Sequence, residues 1–411
     1  MPQRFDQLAR RDRAQDQCQE GHRDHHCQGD PEVAAFHLTD IIDSAIVIQH
    51  EDASQPARSS MRAPASRRRV LVTGGAGFIG IHSVAALVRE GFEVLVLDDL
   101  RHACGEPLPA GADLIEAELS GPQAAAAVAG FRPQLALHLA AQGGVSRSVR
   151  DPAGDALVNV VGTVAMLKAC ADAGCRRFVF ASSGGAIYGR AAHLPAAERT
   201  APRPLSPYGA AKLAGEGYLG LFSRTFHLPT LALRYSNVYG PFQDGTGEAG
   251  VVAITCERLL AGQAPQVRGD GEQTRDFVFV ADVVDANLRA LASHATGAIN
   301  IGTGRATSVN AIVKQLIQFA TPSPLGEGRG AGLQPEYVPA RPGEVRDTYL
   351  DVRKAEKVLG WSPKTALEDG LRETYLSFAK RAQAPSRGEA ATREPAAAEA
   401  GPGRGSPEGS G

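Results

Sequence analysis

A glycine-rich segment directly after a short apolar run is the feature that most restricts how this chain can fold. A Val-Leu-Val run leads into TGGAGFIG at 73–80, which places Gly74, Gly77 and Gly80 three residues apart. The run is typical of a buried strand in a parallel sheet, and residues 81–90 have the apolar spacing of a helix. Glycines between two such elements let backbone amides approach a pyrophosphate at the helix N-terminus. The segment therefore predicts a strand–turn–helix unit that binds a dinucleotide.

A second apolar run ends in two carboxylates at the spacing expected for such a unit. Residues 93–97 read EVLVL and lead into Asp98 and Asp99. An acidic side chain about 20 residues after the glycines can bind the adenosine ribose hydroxyls. Its charge repels a 2′-phosphate, which favours NAD over NADP, whereas the nearby Arg101 would suit a phosphate.

The composition excludes other classes of protein. The 43 Lys and Arg residues nearly balance 45 Asp and Glu residues, and no basic segment is interleaved with aromatics, so no nucleic acid partner is expected. No apolar run approaches the roughly 18 residues of a membrane span, and the polar first residues do not resemble a secretory signal. Six scattered cysteines fit a reducing compartment. We therefore expect a cytoplasmic protein that does not enter a membrane.

The two ends of the chain differ from the rest. Residues 1–66 lack sustained periodicity, so we expect a disordered segment, or one that arises from a start upstream of Met61 and that the working protein does not need. This segment contains a cluster of possible zinc ligands, at Cys18, His22, His25, His26 and Cys27. Their spacing matches none of the usual ligand pairs, so no metal site is predicted. Residues 383–411 are rich in Ala, Gly, Pro and Glu and are expected to be a disordered tail.

Between these ends, short apolar runs alternate with segments of helical spacing. This alternation predicts an α/β fold built on a Rossmann-type doubly wound parallel sheet. We expect the NAD-binding domain over 67–236 and a smaller, discontinuous α/β substrate domain over 237–382, with a segment near 270–295 that returns to the first domain. Ligands of such sheets bind beyond the carboxyl ends of the strands.

A tyrosine and a lysine follow the strand predicted at 177–183. Tyr208 and Lys212 are four residues apart at the start of a helix, so they share one face. Such a pair is common by chance. Its place after a strand that ends in Ser182 and Ser183, in a dinucleotide-binding domain, makes it a candidate catalytic pair.

These segments together resemble the extended short-chain dehydrogenase/reductase family, and within it the UDP-glucose (UDP-galactose) 4-epimerases. The resemblance covers about residues 68–380 in one collinear order. The motifs that carry it are TGGAGFIG at 73–80, LDDL at 97–100, HLAAQ at 138–142, SSGGAIYG at 182–189, YGAAK at 208–212, RYSNVYGP at 234–241, GDGEQTRDFVFVADV at 269–283, NIGTG at 300–304 and the stretch from RPGEVRD to LGW at 341–361.

The resemblance implies NAD as cofactor and assigns roles to matching positions. The positions that would hold NAD are Gly74, Gly77, Phe78, Ile79, Gly80, Asp98, Asp99, Leu100, Glu118, Leu119, Leu139, Ala140, Ala141, Asn159, Tyr208, Lys212 and Tyr235. Tyr208 would be the catalytic base, and Lys212 would bind the nicotinamide ribose and lower the tyrosine pKa, which is ordinarily near 10. The positions that would hold a UDP-sugar are Ser183, Tyr208, Asn237, Arg275, Arg341, Glu344 and Thr348.

The chain departs from the family at one catalytic position. The family usually has Ser or Thr four residues before the tyrosine of its VYG motif, where the side chain binds the sugar 4-hydroxyl. Here that residue is Gly184, four before Tyr188. Either the neighbouring Ser183 takes the role through a shifted backbone or the role is lost, and we favour Ser183.

The resemblance leaves the sugar reaction open. Dehydratases of this family need an Asp–Glu pair where Gly185 and Ala186 stand, so dehydration is not expected, and the Glu that UDP-glucuronate decarboxylases usually carry in that loop is also absent. Epimerases of UDP-glucuronate or UDP-pentoses remain alternatives. A non-catalytic NAD- or nucleotide-sugar-binding protein is a further alternative, against which the Tyr208–Lys212 pair argues. Thr348 is small where the family's hexose-specific members have Tyr, which implies activity on N-acetylated sugars.

Family members commonly form homodimers through two helices. The candidates in this chain are the helices expected near 155–173 and 208–226.

Overall fold

The computed structural model describes residues 68–245, 250–320, 333–340 and 344–383. The segment at 1–66 with its Cys/His cluster, and the tail after Gln383, lie outside the described residues.

The strands are short and follow one another along the whole described chain. They are β1 (Arg69–Thr73), β2 (Glu93–Asp98), β3 (Ala112–Glu116), β4 (Leu135–His138), β5 (Arg177–Ser183), β6 (Thr230–Tyr235), β7 (Asn237–Tyr239), β8 (Gln266–Arg268), β9 (Thr274–Arg275), β10 (Phe277–Phe279), β11 (Gly297–Ile301), β12 (Thr307–Ser308), β13 (Glu336–Val338) and β14 (Asp347–Thr348).

The helices alternate with these strands. They are α1 (Phe78–Arg89), α2 (Pro122–Phe131), α3 (Val145–Arg150), α4 (Pro152–Ala156), a π-helical segment (Leu157–Val161), α5 (Gly162–Asp172), α6 (Gly184–Ile187), α7 (Pro207–Thr225), α8 (Val251–Leu260), α9 (Val280–Ala292), α10 (Val309–Ala320), α11 (Arg353–Leu359) and α12 (Leu367–Gln383).

Seven strands form one parallel sheet. Their order is β3–β2–β1–β4–β5–β6–β11. The chain leaves β1 toward one edge and returns to add β4 on the other side, so the crevice between β1 and β4 is the point where strand order reverses and where ligands of such sheets bind. The predicted doubly wound α/β fold is confirmed.

Helices cover both faces of this sheet. Successive residues of a strand point to opposite faces, so each strand contributes apolar side chains to both layers. Val70 and Val72 belong to the core shared with α1, α9 and α11. Leu71 faces the other way, into the core shared with α2, α5 and α7. The strands are therefore apolar on both faces, which explains their uninterrupted hydrophobic runs.

A second core lies around β7, β10, α8, α10 and α12. Beside it, β9 pairs with both β12 and β14, and β8 pairs with β13. Helix α9 and strand β11 come late in the chain yet belong to the main sheet and its helical layer. The domain boundaries at 236 and 382 stay a prediction.

One continuous helical stretch among the described residues, Pro152–Asp172, passes the length and hydropathy test for a membrane span. Its inner residues Met166, Leu167 and Cys170 are fully buried between the sheet and neighbouring helices. Core helices of water-exposed folds pass the same test, so this finding is weak support for a membrane segment.

Candidate active site

The glycine turn after β1 is built so closely that side chains would not fit. Gly74 has φ +71°, and a Cβ on it would lie 2.6 Å from the Ala140 backbone nitrogen. A Cβ on Gly80 would collide with the Gly74 carbonyl oxygen. Gly77 is the N-cap of α1 and has no side chain to cap the helix, so the first amides of α1 stay available to an anion. The turn therefore has the form that the sequence predicts for pyrophosphate binding.

Asp98 connects this turn to the end of β2. Its two carboxylate oxygens accept hydrogen bonds from the backbone N–H groups of Ala76 and Leu100, both at 2.9 Å. Leu100 has φ +59° and so turns the chain sharply just after the strand. Asp98 thus shapes the loop at the place where the sequence expects the adenosine ribose.

Arg101, the residue that would suit a 2′-phosphate, is bound to carboxylates. Its guanidinium lies 2.6 Å from Asp99 and 3.3 Å from Glu118. A 2′-phosphate would have to compete with both negative charges for the same guanidinium. This arrangement favours NAD over NADP.

The end of β4 is fastened to the end of β1 by a buried histidine. His138 Nδ1 lies 2.8 Å from the Thr73 hydroxyl, and its Nε2 lies 3.0 Å from the Thr163 hydroxyl. Burial and the charge of Lys212 lower the pKa of His138 to about 3, so the ring is neutral. The Ala140 N–H also donates to the Thr73 hydroxyl, at 3.3 Å. The predicted cofactor-channel residues Leu139 to Ala141 are therefore held directly beside the glycine turn.

Asn159 lies in the π-helical segment and is buried. Its Oδ1 accepts from the backbone N–H of Gln142 at 2.9 Å, while its Nδ2 donates to the Gln142 carbonyl at 3.1 Å and to Asp155 Oδ1 at 2.9 Å. These bonds attach the helical layer to the loop after β4.

Tyr208 and Lys212 lie in the first two turns of α7, which Ser206 caps by accepting from the Gly209 N–H at 3.1 Å. Lys212 Nζ donates to the Ala181 carbonyl of β5 at 2.8 Å and lies 5.8 Å from the centre of the Tyr208 ring. Ser183, at the end of β5, lies close enough to the Tyr208 hydroxyl to lower its pKa. The structure therefore brings all three predicted catalytic residues together.

The backbone explains why Ser183, and not residue 184, meets the tyrosine. A Cβ on Gly184 would lie 2.6 Å from Leu350 Cδ1, in the small core that Leu350 forms with Tyr188 and Ala196. A side chain at 184 would thus point into protein. Of the two readings that the sequence leaves open, the geometry supports Ser183.

The pKa values of the pair are set mainly by burial. Burial raises the pKa of Tyr208 to about 12; the nearby Ser183 opposes this rise, and the charge of Asp155 adds to it. Burial lowers the pKa of Lys212 to about 8, and Asp155 opposes that fall. The lysine is therefore the more acidic of the two groups, and near neutral pH it is still an ammonium. The expected lowering of the tyrosine pKa by Lys212 stays a prediction.

Three of the predicted sugar-binding residues, Asn237, Arg275 and Thr348, lie on short strands beyond β6. Arg275 of β9 contacts Glu344 at 2.7 Å and lies opposite Thr348 of β14. A small pocket in this region is lined by Gly184, Gly185, Ser236, Asn237, Asp276, Thr348, Tyr349 and Leu350. Arg341 lies outside the described residues.

Comparison with known proteins identifies the family. Residues 70–302 match the sequence profile of the NAD dependent epimerase/dehydratase family. The UDP-glucose 4-epimerase of Mycolicibacterium smegmatis is 42% identical over 326 residues, which are 77% of this chain and 100% of that protein. The chain belongs to the NAD-dependent epimerase/dehydratase family. NAD is the cofactor of this family, and the turn, Asp98 and the bound Arg101 fit it.

Solved structures of the family agree. A UDP-glucose 4-epimerase from Thermotoga maritima, solved with UDP-glucose, is 44% identical, with a TM-score of 0.73 over 77% of this chain and 100% of that one. A UDP-N-acetylglucosamine 4-epimerase from Methanobrevibacter ruminantium M1, in complex with UDP-N-acetylmuramic acid, is 29% identical, with a TM-score of 0.71 over 77% of this chain and 99% of that one. Relatives of similar fold thus differ in the sugar that they bind.

Tyr235, which the resemblance assigns to NAD binding, has its side chain in the hydrophobic core. The Tyr235 hydroxyl donates to Asn287 Oδ1 at 2.5 Å, and the ring packs with Val72 and Val84 between the sheet and α1. The alternation of side-chain direction along β6 could have predicted this core position, because Tyr235 lies on the same face of the strand as Leu233. Leu119 is likewise packed against Gly162 of α5.

Two buried carboxylates near the candidate site were not singled out from the sequence. Asp276, which is 1% exposed, accepts from the Thr303 N–H and hydroxyl at 2.7 Å, from the Gly304 N–H at 3.1 Å and from the Leu350 N–H at 3.2 Å. It joins the loop after β11 to the segment after β14, and its place beside Arg275 was the available signal. The other residue is Asp155, one helical turn before Asn159.

Proposed function

We propose that this chain interconverts UDP-glucose and UDP-galactose through a 4-keto sugar. The observation that carries the proposal is the meeting of Tyr208, Lys212 and Ser183 beside the glycine turn, at the carboxyl ends of β4 and β5. Bound NAD supplies a hydride acceptor that later serves as the donor to the opposite face of the same carbon. Because the cofactor is regenerated in each cycle, it stays with the enzyme.

Tyr208 is the general base that takes the proton of the sugar 4-hydroxyl, and it returns a proton when the ketone is reduced. A phenol with a pKa raised to about 12 needs positive charge nearby before it can ionise near neutral pH. Lys212 supplies one such charge while it keeps its proton. Ser183 binds the same hydroxyl and orients it toward Tyr208.

Arg275 supports the assignment of a nucleotide-sugar. A guanidinium suits a diphosphate, because it can pair two oxygens at once. In the structure the Arg275 guanidinium donates to Glu344 and to the backbone carbonyls of Thr274 and Arg346, so a diphosphate would have to compete with Glu344 for it. The small Thr348 at the pocket wall supports the additional proposal that N-acetylated UDP-hexoses are accepted.

The assignment is tested by separate incubations of the full chain with UDP-galactose, UDP-N-acetylgalactosamine and UDP-glucuronate, followed by chromatography of the products. We expect UDP-galactose to give UDP-glucose and the N-acetylated sugar to react more slowly. Turnover of UDP-glucuronate alone would assign a different substrate, and turnover of none would support a binding protein.

We also propose that the chain forms a homodimer through the α3–α5 region and α7. Large apolar side chains are exposed on this side, namely Val145, Val149, Leu157, Val161, Tyr218 and Leu221. Burial of such a face against a second copy is favourable by about 25 cal/mol per Å² of apolar surface.

Leu157→Glu is expected to shift the protein from dimer to monomer in analytical ultracentrifugation, because it places a charge among these side chains. The matched control Leu205→Glu changes an equally exposed leucine outside both helices and should leave the mass unchanged. A monomeric wild-type protein at micromolar concentration would refute the dimer.

A further inference from the structure

A buried carboxylate beside the catalytic pair has an oxygen without a hydrogen-bond partner. Asp155 is 2% exposed; its Oδ1 accepts from Asn159, and its Oδ2 has no hydrogen bond. Leaving a buried carboxylate oxygen without a partner is costly, so such groups are rare unless they have a task.

The local helix geometry explains how this carboxylate is held. Helix α4 ends at Ala156, and the π-helical segment follows at once. Isolated π turns inside helices are rare, and many of those that occur lie at functional sites. Here the wider turn leaves Asp155 and Asn159 both buried and in contact, and Gln142 fixes Asn159 from the opposite side. Asp155 therefore cannot swing into solvent without breaking this set of bonds.

The charge of Asp155 acts on both members of the catalytic pair. Helix α4 packs against α7, which carries Lys212 and Tyr208. The Asp155 carboxylate opposes the fall in the pKa of Lys212 and adds to the rise in that of Tyr208. Burial raises the pKa of Asp155 itself, and the bond from Asn159 and the charge of the Lys212 ammonium oppose that rise. Burial alone would drive the lysine toward its neutral form.

The other ionisable groups around this site differ from Asp155 in burial or charge. His138 on β4 is buried but neutral. Asp151, which caps α4, is exposed, as are Arg147 and Arg150 on α3. Solvent screens these exposed charges more strongly than the buried one.

We propose that Asp155 is a positioning residue that keeps Lys212 in its ammonium form, so that the lysine can hold the nicotinamide ribose of NAD. This inference rests on the Tyr208–Lys212 site of the proposed function. It adds a buried counter-charge for the lysine, carried by the helix that packs against α7.

The test measures how much NAD the full chain retains after dialysis at a series of pH values. Retention falls as the pH rises through the pKa of Lys212, because the neutral amine binds the ribose less well. Asp155→Asn removes the charge but keeps an oxygen for Asn159. Loss of the anion lowers the lysine pKa, so the midpoint should move down by at least about 0.5 pH unit. Asp172→Asn, which removes an exposed carboxylate at the end of α5, should not move the midpoint.

The inference is overturned if the midpoint of NAD retention in Asp155→Asn is unchanged. The same holds if this variant loses NAD uniformly at every pH, because Asp155 would then have only a structural role. If Asp155→Asn does not fold, as judged by circular dichroism, Asp155→Ser provides the same measurement. Lys212→Met separates the inference about Asp155 from the role of Lys212 in the proposed function, because this variant should remove the pH dependence of NAD retention. If Lys212→Met keeps NAD with the wild-type pH curve, the lysine role in the proposed function fails instead.

Discussion

The two regions that form the site are built in different ways. The nucleotide edge, defined as the carboxyl ends of β1, β2, β4 and β5, rests on strands of four to seven residues in a continuous parallel sheet. The sugar region, defined as β9, β12, β14 and the loop at 302–304, uses strands of only two residues. The first region is fixed by many buried apolar contacts, whereas the second depends on a few polar bonds.

The difference indicates which part of the molecule is free to change its specificity. A cofactor site carried by the main sheet is hard to alter without disturbing the core. Short strands that are joined by a few polar bonds, among them those of Asp276, can accept new side chains around the proposed sugar site. Relatives that bind different sugars on the same fold agree with this view.

The largest effect is expected where the two regions meet. Tyr208→Phe removes the group that we propose takes the 4-hydroxyl proton, so kcat should fall by about 10³-fold. UDP affinity, which we assign to the sugar region, should stay within about twofold. Turnover is measured by product chromatography and UDP affinity by calorimetry. Wild-type turnover in this variant would show that the base is another group.

The next effect concerns the sugar region alone. Asp276→Asn replaces an acceptor of four hydrogen bonds by an amide whose NH₂ faces N–H donors, so the free energy of unfolding should fall by about 2–4 kcal/mol. Urea unfolding measures this change. Asp347→Asn, an exposed neighbour that accepts from the Thr274 hydroxyl, should cost less than about 1 kcal/mol. Equal losses in both variants would show that Asp276 is not the main connection.

Ser183→Ala tests which residue replaces the serine that the family usually has at 184. Loss of one hydrogen bond to the reacting hydroxyl should lower kcat about tenfold or more. The double change Ser183→Ala with Gly184→Ser should not restore the rate, because a side chain at 184 meets Leu350. Recovery in the double variant would assign the role to residue 184.

The smallest effect on the proposed reaction is expected at the pocket wall. Thr348→Tyr enlarges the side chain beside Gly184 and Leu350, so turnover of UDP-N-acetylgalactosamine should fall at least about tenfold while that of UDP-galactose changes by less than about threefold. Thr348→Ser is the control that should keep both activities. An equal loss on both sugars would mean that Thr348 does not select the sugar.

The sequence predicted the nucleotide edge better than the sugar region, for physical reasons. Long apolar strands and a glycine turn are local signals, and β1, β2 and β5 lie where those signals place them. Strand β11 was not predicted, because its five residues run directly into the glycine-containing segment at 302–304, whose composition is typical of a turn.

The missed residues have roles that exist only in the folded chain. The three residues that donate to the Asp276 side chain, Thr303, Gly304 and Leu350, all follow residue 300, and no local pattern shows that they meet it. Asp155 would be an ordinary polar helix residue if the π turn and α7 did not bury it. The burial that gives Tyr208 and Lys212 their shifted pKa values is likewise a property of packing and not of spacing.

The most direct test of the central claim, that oxidation and reduction take place on one sugar within one site, follows the hydrogen at carbon 4. The full chain is given UDP-galactose with deuterium at that carbon in ordinary water, and the UDP-glucose formed is analysed by mass spectrometry. The account predicts that the product keeps its deuterium at carbon 4, because the hydride passes to the bound cofactor and back. Loss of the deuterium to solvent would contradict it.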